Sequence, residues 1–182
     1  MIRPELVCPA GTPAALRTAV EAGADAVYCG FRNATNARNF PGLNFTPDEL
    51  AAAVEHAHAH GAKVLLALNT FPRAGEVALW REGADMGAAM GIDAFIVADM
   101  GVADYIADRH PNTRLHLSVQ AAASSPEAIC YYAREFGVKR VVLPRILTIP
   151  EIREIKAEIP CEIETFIFGN HGLMVEGRCS LT

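Results

Sequence analysis

The sequence has little charge of either sign and no long apolar run. Its 182 residues carry 16 Lys and Arg against 21 Asp and Glu, a net charge of −5, so it offers nucleic acid no basic surface. No apolar stretch approaches the roughly 18–20 residues that a membrane span needs, and the first residues lack the apolar core of a signal peptide. With 51% hydrophobic residues, the composition excludes intrinsic disorder. We therefore expect one cytoplasmic domain over residues 1–182, with no membrane span and no nucleic-acid partner.

The cysteines are few and widely spaced. Their number is odd and none forms a C-x-x-C pair, which argues against a disulfide framework and against a metal site readable from spacing alone. The five are Cys8, Cys29, Cys130, Cys161 and Cys179. Cys130 and Cys161 are interpreted as small buried hydrophobic residues. Cys8 and Cys29 lie at the ends of the first two predicted strands and are interpreted as packing residues that could reach the mouth of the barrel.

One unit recurs along the chain: a helix-like stretch ends at a glycine, and a short apolar run follows. This occurs at Gly23, Gly61, Gly91 and Gly137, as expected for helices closed by a left-handed glycine before a buried strand. The pattern predicts strands at 6–9, 26–30, 63–69, 94–99, 115–120, 141–144 and 163–168. It predicts helices at 13–22, 47–60, 78–90, 102–109, 126–136 and 150–158.

Seven strands that alternate with six helices predict a parallel α/β sheet, either open and doubly wound or rolled into a barrel. The run 115–120 alternates strictly between apolar and polar residues, whereas doubly wound strands are apolar on both faces. The alternation predicts that Leu115, Leu117 and Val119 lie under helices and that His116, Ser118 and Gln120 face a lumen. We therefore expect a (β/α) barrel-like fold that is truncated before closure, because eight-stranded barrels usually need about 250 residues.

Polar residues cluster at the carboxyl ends of the predicted strands, where such barrels place their sites. A loop over 31–45 is also longer than the usual connection of about 4–6 residues. The residues predicted to line one substrate cavity are Asn36, Arg38, Asn69, Asp99, Gln120 and Arg145. Arg145 follows an apolar strand, and its guanidinium suits a carboxylate or phosphate. For Asn69 and Asp99 the alternative is capping of the next turn, and for the loop it is an ordinary surface connection.

Several segments together resemble the collagenase-like peptidase family U32, over essentially the whole chain. Within it they are most similar to the U subunit of the oxygen-independent ubiquinone-biosynthesis hydroxylase. The segments are Leu6-Val7-Cys8-Pro9-Ala10-Gly11, Glu21-Ala22-Gly23-Ala24-Asp25-Ala26-Val27-Tyr28, Thr35-Asn36-Ala37-Arg38-Asn39-Phe40, Gly42-Leu43-Asn44-Phe45-Thr46, Asn69-Thr70-Phe71, Ser118-Val119-Gln120, Arg140-Val141-Val142-Leu143-Pro144-Arg145 and Glu176-Gly177-Arg178-Cys179.

The resemblance implies a barrel-like domain in a heterodimer with a homologous V subunit. It implies a [4Fe–4S] cluster on four cysteines, hydroxylation of a ubiquinone precursor, and prephenate as hydroxyl donor, while relatives act on tRNA or ribosomal RNA. Residues 169–182 would begin the cluster loop. There the chain retains Cys179, but Gly172 stands at the other cysteine position, with His171 one residue out of register. We therefore expect no cluster on these 182 residues alone.

Two other functions remain open from the sequence. The loss of a ligand at Gly172 would suit a cluster-less paralogue that acts as a binding or scaffold protein. The family name would suit a peptidase, although no Ser/His/Asp or Cys/His arrangement has diagnostic spacing. A seven-stranded remnant would also expose two sheet edges, which predicts self-association.

Overall fold

The fold is an α/β half-barrel, an open parallel sheet of seven strands with six helices. A computed structural model describes residues 3–169. The strands are β1 (Val7–Pro9), β2 (Ala26–Gly30), β3 (Lys63–Leu68), β4 (Ala94–Val97), β5 (Arg114–Leu117), β6 (Arg140–Val142) and β7 (Glu162–Glu164). The helices are α1 (Pro13–Glu21), α2 (Pro47–Ala59), α3 (Ala78–Ala89), α4 (Met100–Arg109), α5 (Pro126–Phe136) and α6 (Ile149–Glu158). The predicted alternation and fold class are confirmed.

Local signals account for most of the element boundaries. Thr12, Thr46, Ser125 and Thr148 each accept a backbone hydrogen bond at a helix start, and Thr46 and Thr148 belong to capping boxes. These side chains satisfy amide groups that have no partner within the helix. The four glycines of the recurring unit all have positive φ, between 68° and 95°, so helix closure by glycine is confirmed.

The sheet follows chain order from β1 to β7, and every neighbouring pair is parallel. Its outer face and the helices enclose the main hydrophobic core. A smaller apolar cluster, which includes Ala26, Leu65 and Ile96, lies on the inner face. The sheet curls far enough for Glu5, just before β1, to pair with Arg140 on β6. The inner face is therefore a concave surface with its open end at the carboxyl termini of the strands.

Helix α3 contains two glycines, which cost helix stability but here allow close packing. A Cβ at Gly87 would lie 2.6 Å from Leu66 and 2.9 Å from Phe95, and one at Gly83 would lie 3.2 Å from Leu68. Real Cβ atoms do not approach other heavy atoms below about 3 Å. The absence of a Cβ at these two positions therefore allows α3 to pack closely against β3 and β4.

The strand predicted at 115–120 ends early, at Leu117. Residues Val119–Ala121 form a 3₁₀ turn in which the Ser118 hydroxyl accepts from the Gln120 amide at 3.2 Å, and Ala122 is left-handed with φ 52°. The local bond competes with continued strand pairing. The prediction that Val119 lies under the helices is therefore wrong: Val119 lines the concave side. Within residues 3–169, no helix is long and apolar enough to cross a membrane.

Candidate functional site

A cavity of about 250 Å³ opens at the carboxyl ends of the strands. Its wall is mostly apolar and its polar groups are few, as is usual in small-molecule sites. It is lined by Pro9, Ala10, Gly11, Tyr28, Cys29, Asn36, Arg38, Phe40, Leu43, Asn44, Ala67, Asn69, Ile96, Ser118, Val119, Gln120, Val142, Glu164 and Phe166.

The loop over 31–45 folds onto this cavity through a buried pair of asparagines. The side chain of Asn36 donates to Asn44 Oδ1 at 2.8 Å, and Asn44 Nδ2 donates to the Arg38 carbonyl at 2.8 Å. Asn44 is left-handed, with φ 72°, a conformation that asparagine tolerates better than most residues. A Cβ at Gly30 would lie 2.2 Å from Asn36 Nδ2, so glycine at the end of β2 makes room for Asn36.

Asn69 and Ser118 join the loop to the sheet. Asn69 Oδ1 accepts from the Ala37 amide at 3.0 Å, and Asn69 Nδ2 donates to Ser118 Oγ at 3.3 Å. Because Asn69 follows β3 and Ser118 follows β5, these bonds hold three distant parts of the chain around one opening. Gln120, in the turn after β5, completes this side of the cavity.

The structure brings four of the six predicted cavity residues together: Asn36, Arg38, Asn69 and Gln120 line the cavity. Asp99 does not line it. Its carboxylate accepts from the Val102 amide at 3.0 Å and caps α4, the place that the capping alternative predicted.

Arg145 lies beside the cavity without lining it. Its guanidinium carbon lies 5.0 Å from the ring centre of Phe166, which does line the cavity. Arg38 and Arg145 both lower the pKa of Tyr28, against its overall rise through burial, so both positive charges lie at the same end of the sheet.

Sequence reasoning missed two titratable groups of the cavity, Tyr28 and Glu164. Burial raises the pKa of the Tyr28 phenol, and the charge of Glu164 adds to that rise. Burial also raises the pKa of the Glu164 carboxyl, against the lowering by Arg140. The alternation Glu162-Ile163-Glu164 was the available signal, since period 2 places both carboxylates on one face.

Below the cavity, Arg140 is the centre of a charged cluster on the inner face. It pairs with Glu5, Glu162 and Glu164, and its side chain is only 11% exposed. His116 is buried next to this cluster, and neither ring nitrogen has a hydrogen-bond partner among the described residues. Burial, with Arg140 and Arg114 nearby, lowers the His116 pKa to about 3.

The donors in the described residues do not fit an iron–sulfur cluster. Cys29 and Cys161 pack in the core, Cys8 and Cys130 pack against it, and burial raises the pKa of the Cys29 thiol to about 12. Within residues 3–169, no three His, Cys, Asp or Glu side chains converge as a metal site. The predicted ligand Cys179, with His171 and Gly172, lies outside the described residues.

Comparison with known proteins gives relatives and a fold match. The chain is 35% identical to tRNA hydroxylation protein P of Escherichia coli over 184 residues, which cover all of this chain and 40% of that protein. It is 32% identical to the 23S rRNA 5-hydroxycytidine synthase of Escherichia coli, over 99% of this chain and 26% of that protein. The chain thus spans less than half the length of these relatives.

The solved structure of the U32 peptidase Mk0906 superposes with a TM-score of 0.75 at 19% identity, over 90% of this chain and 68% of that chain. At that identity the superposition supports the fold alone. The model of Peptidase family U32 matches residues 11–182, nearly the whole chain, and this match includes strands β2 to β7 and the loop over 31–45. The chain therefore belongs to Peptidase family U32.

Proposed function

We propose that this chain is the barrel portion of an oxygen-independent hydroxylase and that its cavity binds the organic hydroxyl donor. The supporting observation is the cavity at the carboxyl ends of the strands, with Arg38 in its lining and Arg145 beside it. The names of the relatives, which refer to hydroxylation of tRNA and to synthesis of hydroxycytidine in rRNA, agree with this reaction class.

The donor in this proposal is a small carboxylate such as prephenate. Guanidinium groups bind carboxylates through charge-assisted and often bidentate hydrogen bonds, and Arg38 and Arg145 supply two at one end of the sheet. The six-membered ring of prephenate would pack against the apolar side chains of Phe40, Leu43 and Phe166. The side-chain amides of Asn69 and Gln120 would provide further hydrogen bonds.

The acceptor in this proposal is a ubiquinone precursor, bound with a homologous V-type subunit. Its support is the set of motifs shared with the U subunit and the net charge of −5, which does not favour a polyanionic acceptor. A nucleoside in RNA is the second candidate, favoured by the relatives' names. The [4Fe–4S] cluster would require ligands beyond the described residues.

A peptidase has less support in this cavity. Among the described residues that line it there is no histidine, and the Ser118 hydroxyl is bonded to Asn69 and the Gln120 amide. A nucleophile needs a base within hydrogen-bond reach. The buried His116 lies below, beside Arg140.

The test is anaerobic complementation with the complete gene product that carries this chain. It is expressed in a host that lacks the U subunit and, separately, in one that lacks the tRNA hydroxylation proteins. Restored ubiquinone, measured by mass spectrometry, would support the proposal, whereas restored hydroxyuridine alone would support the RNA candidate. Restoration of neither product would contradict hydroxylation.

Binding of the donor is tested on the chain itself by calorimetry with prephenate. Arg38→Gln is expected to weaken binding at least tenfold, since it removes a charge from the cavity. Arg17→Gln is the matched control, because Arg17 is an exposed residue of α1. Equal affinities of both variants and the wild type would contradict a donor site at Arg38.

A further inference from the structure

The inner face of β7 presents one carboxylate to the cavity and one below it. Glu162 and Glu164 both contact Arg140, whereas Ile163 between them packs against the helix-side core. Glu164 lines the cavity and Glu162 does not. Among the described residues that line the cavity, Glu164 is the one carboxylate.

Three carboxylates share the charge of Arg140 unequally. Arg140 Nη2 lies 2.7 Å from Glu162 and also pairs with Glu5, whereas Nη1 lies 3.5 Å from Glu164. Glu5 has a second partner in Lys63, and Glu162 has one in Arg114 at 3.1 Å. Glu164 therefore has the weakest charge compensation of the three.

The pKa values of the three carboxyl groups agree with these contacts: the two well-compensated groups have lowered pKa values and Glu164 has a raised one. The cationic partners lower the pKa of Glu5 to about 2 and lower that of Glu162, although burial opposes both shifts. For Glu164, burial raises the pKa by more than the positive charge of Arg140 lowers it. The negative charge of Glu5 raises the pKa of Glu164 further.

The charges around Glu164 make its protonation sensitive to an anion in the cavity. Tyr28 of β2 is neutral at physiological pH, and Arg140 and Glu162 lie below. Arg38 and Arg145 lie at the open end, where they act on Tyr28. An anionic ligand held by the two arginines would add negative charge near a poorly compensated carboxylate, and a like charge raises a carboxyl pKa.

We propose that Glu164 is the proton-exchanging group of this cavity and takes up a proton when an organic carboxylate binds. The ligand class is a carboxylate with a second oxygen, carbonyl or hydroxyl, that accepts a hydrogen bond from the protonated Glu164. The proton comes from solvent and returns to solvent on release, so no bond of the ligand is made or broken. The carboxylate class rests on the proposed function, while the proton affinity of Glu164 does not.

The test of coupling is calorimetric titration of prephenate into the chain at pH 6–8, in buffers of different ionisation enthalpy. Wild type is expected to take up a fraction of a proton for each ligand bound, with affinity that falls up to about tenfold per unit of rising pH. Glu164→Gln is expected to abolish uptake. Glu162→Gln, on the same face of the same strand but outside the cavity, is expected to retain it. No uptake in wild type, or equal uptake in Glu164→Gln, would overturn the proposal.

A second measurement separates this proposal from the donor assignment. In chain labelled with ¹³C at the glutamate carboxyls, the two variants assign the signals of Glu164 and Glu162. Glu164 is expected to titrate above 4.5 and Glu162 below it without any ligand. The reverse order would overturn the role of Glu164 even if prephenate binds. If prephenate does not bind, the donor assignment fails and the order of the two titrations still decides the role of Glu164.

Discussion

Gly30→Ala should destabilise the protein because Asn36 occupies the space that a methyl group would need. The new Cβ would lie 2.2 Å from Nδ2, 2.5 Å from Cγ and 2.9 Å from Cβ of Asn36. These atoms belong to a buried side chain that donates to Asn44 at 2.8 Å, so Asn36 must move and break that bond.

The cost has two parts. Overpacking of a tight site costs about 1–3 kcal/mol, and leaving buried polar groups unsatisfied costs about 1–3 kcal/mol more. Since the loop can relax part of the clash, we expect a loss of about 3 kcal/mol in the free energy of unfolding. With a urea dependence of about 2 kcal/mol per molar, the unfolding midpoint should fall by about 1.5 M.

Gly11→Ala is the matched control, because its Cβ would lie at an ordinary 3.5 Å from Leu43. It should change stability by less than about 0.5 kcal/mol. In an Asn36→Ala background, Gly30→Ala should cost less, because the amide that collides is gone and only the 2.9 Å contact to Cβ remains. A loss below about 1 kcal/mol for Gly30→Ala, or strict additivity of the two substitutions, would refute the reasoning.

Three further predictions concern the charged cluster, the metal and the sheet edges. The pKa of His116 is about 3 in the folded protein against an ordinary value of 6.5, so between these pH values the unfolded chain binds a proton that the folded chain does not. The free energy of unfolding is therefore unaffected by His116 above pH 6.5 and falls as pH drops from 6.5 towards 3, by up to about 1.4 kcal/mol per pH unit. His116→Leu should flatten urea stability between pH 7 and 5.5, and an unchanged slope would contradict the burial argument. Anaerobic reconstitution of the 182-residue chain with iron and sulfide should leave it colourless, whereas visible absorbance lost on Cys179→Ser would show that prediction to be wrong. Because β1 and β7 each have one strand neighbour, sedimentation of this chain should show self-association, and a strict monomer would contradict it.

The sequence alone determined the elements and their order. Helix starts at Thr46 and Thr148 and helix ends at Gly23 and Gly137 depend on hydrogen bonds and dihedral angles within about four residues. Period-2 alternation in 115–120 predicted that His116 and Ser118 face the lumen, and both do lie on the inner side of the sheet. The same local reasoning placed the long loop beside the strand ends, where Asn36 and Arg38 line the cavity.

Tertiary structure decided which strand-end residues form the site. Asp99 and Asn69 both follow a strand, yet Asp99 bonds three residues ahead while Asn69 reaches Ala37, 32 residues away. Glu164 lines the cavity only because β7 joins the sheet in a register that places Glu164 opposite Val142. The negative charge of Glu164 is weakly compensated because Arg140 also pairs with Glu5, which is 135 residues away in the sequence. Contacts between such distant residues depend on strand register and sheet curvature, to which all seven strands contribute together, so a pattern within one segment could not specify them.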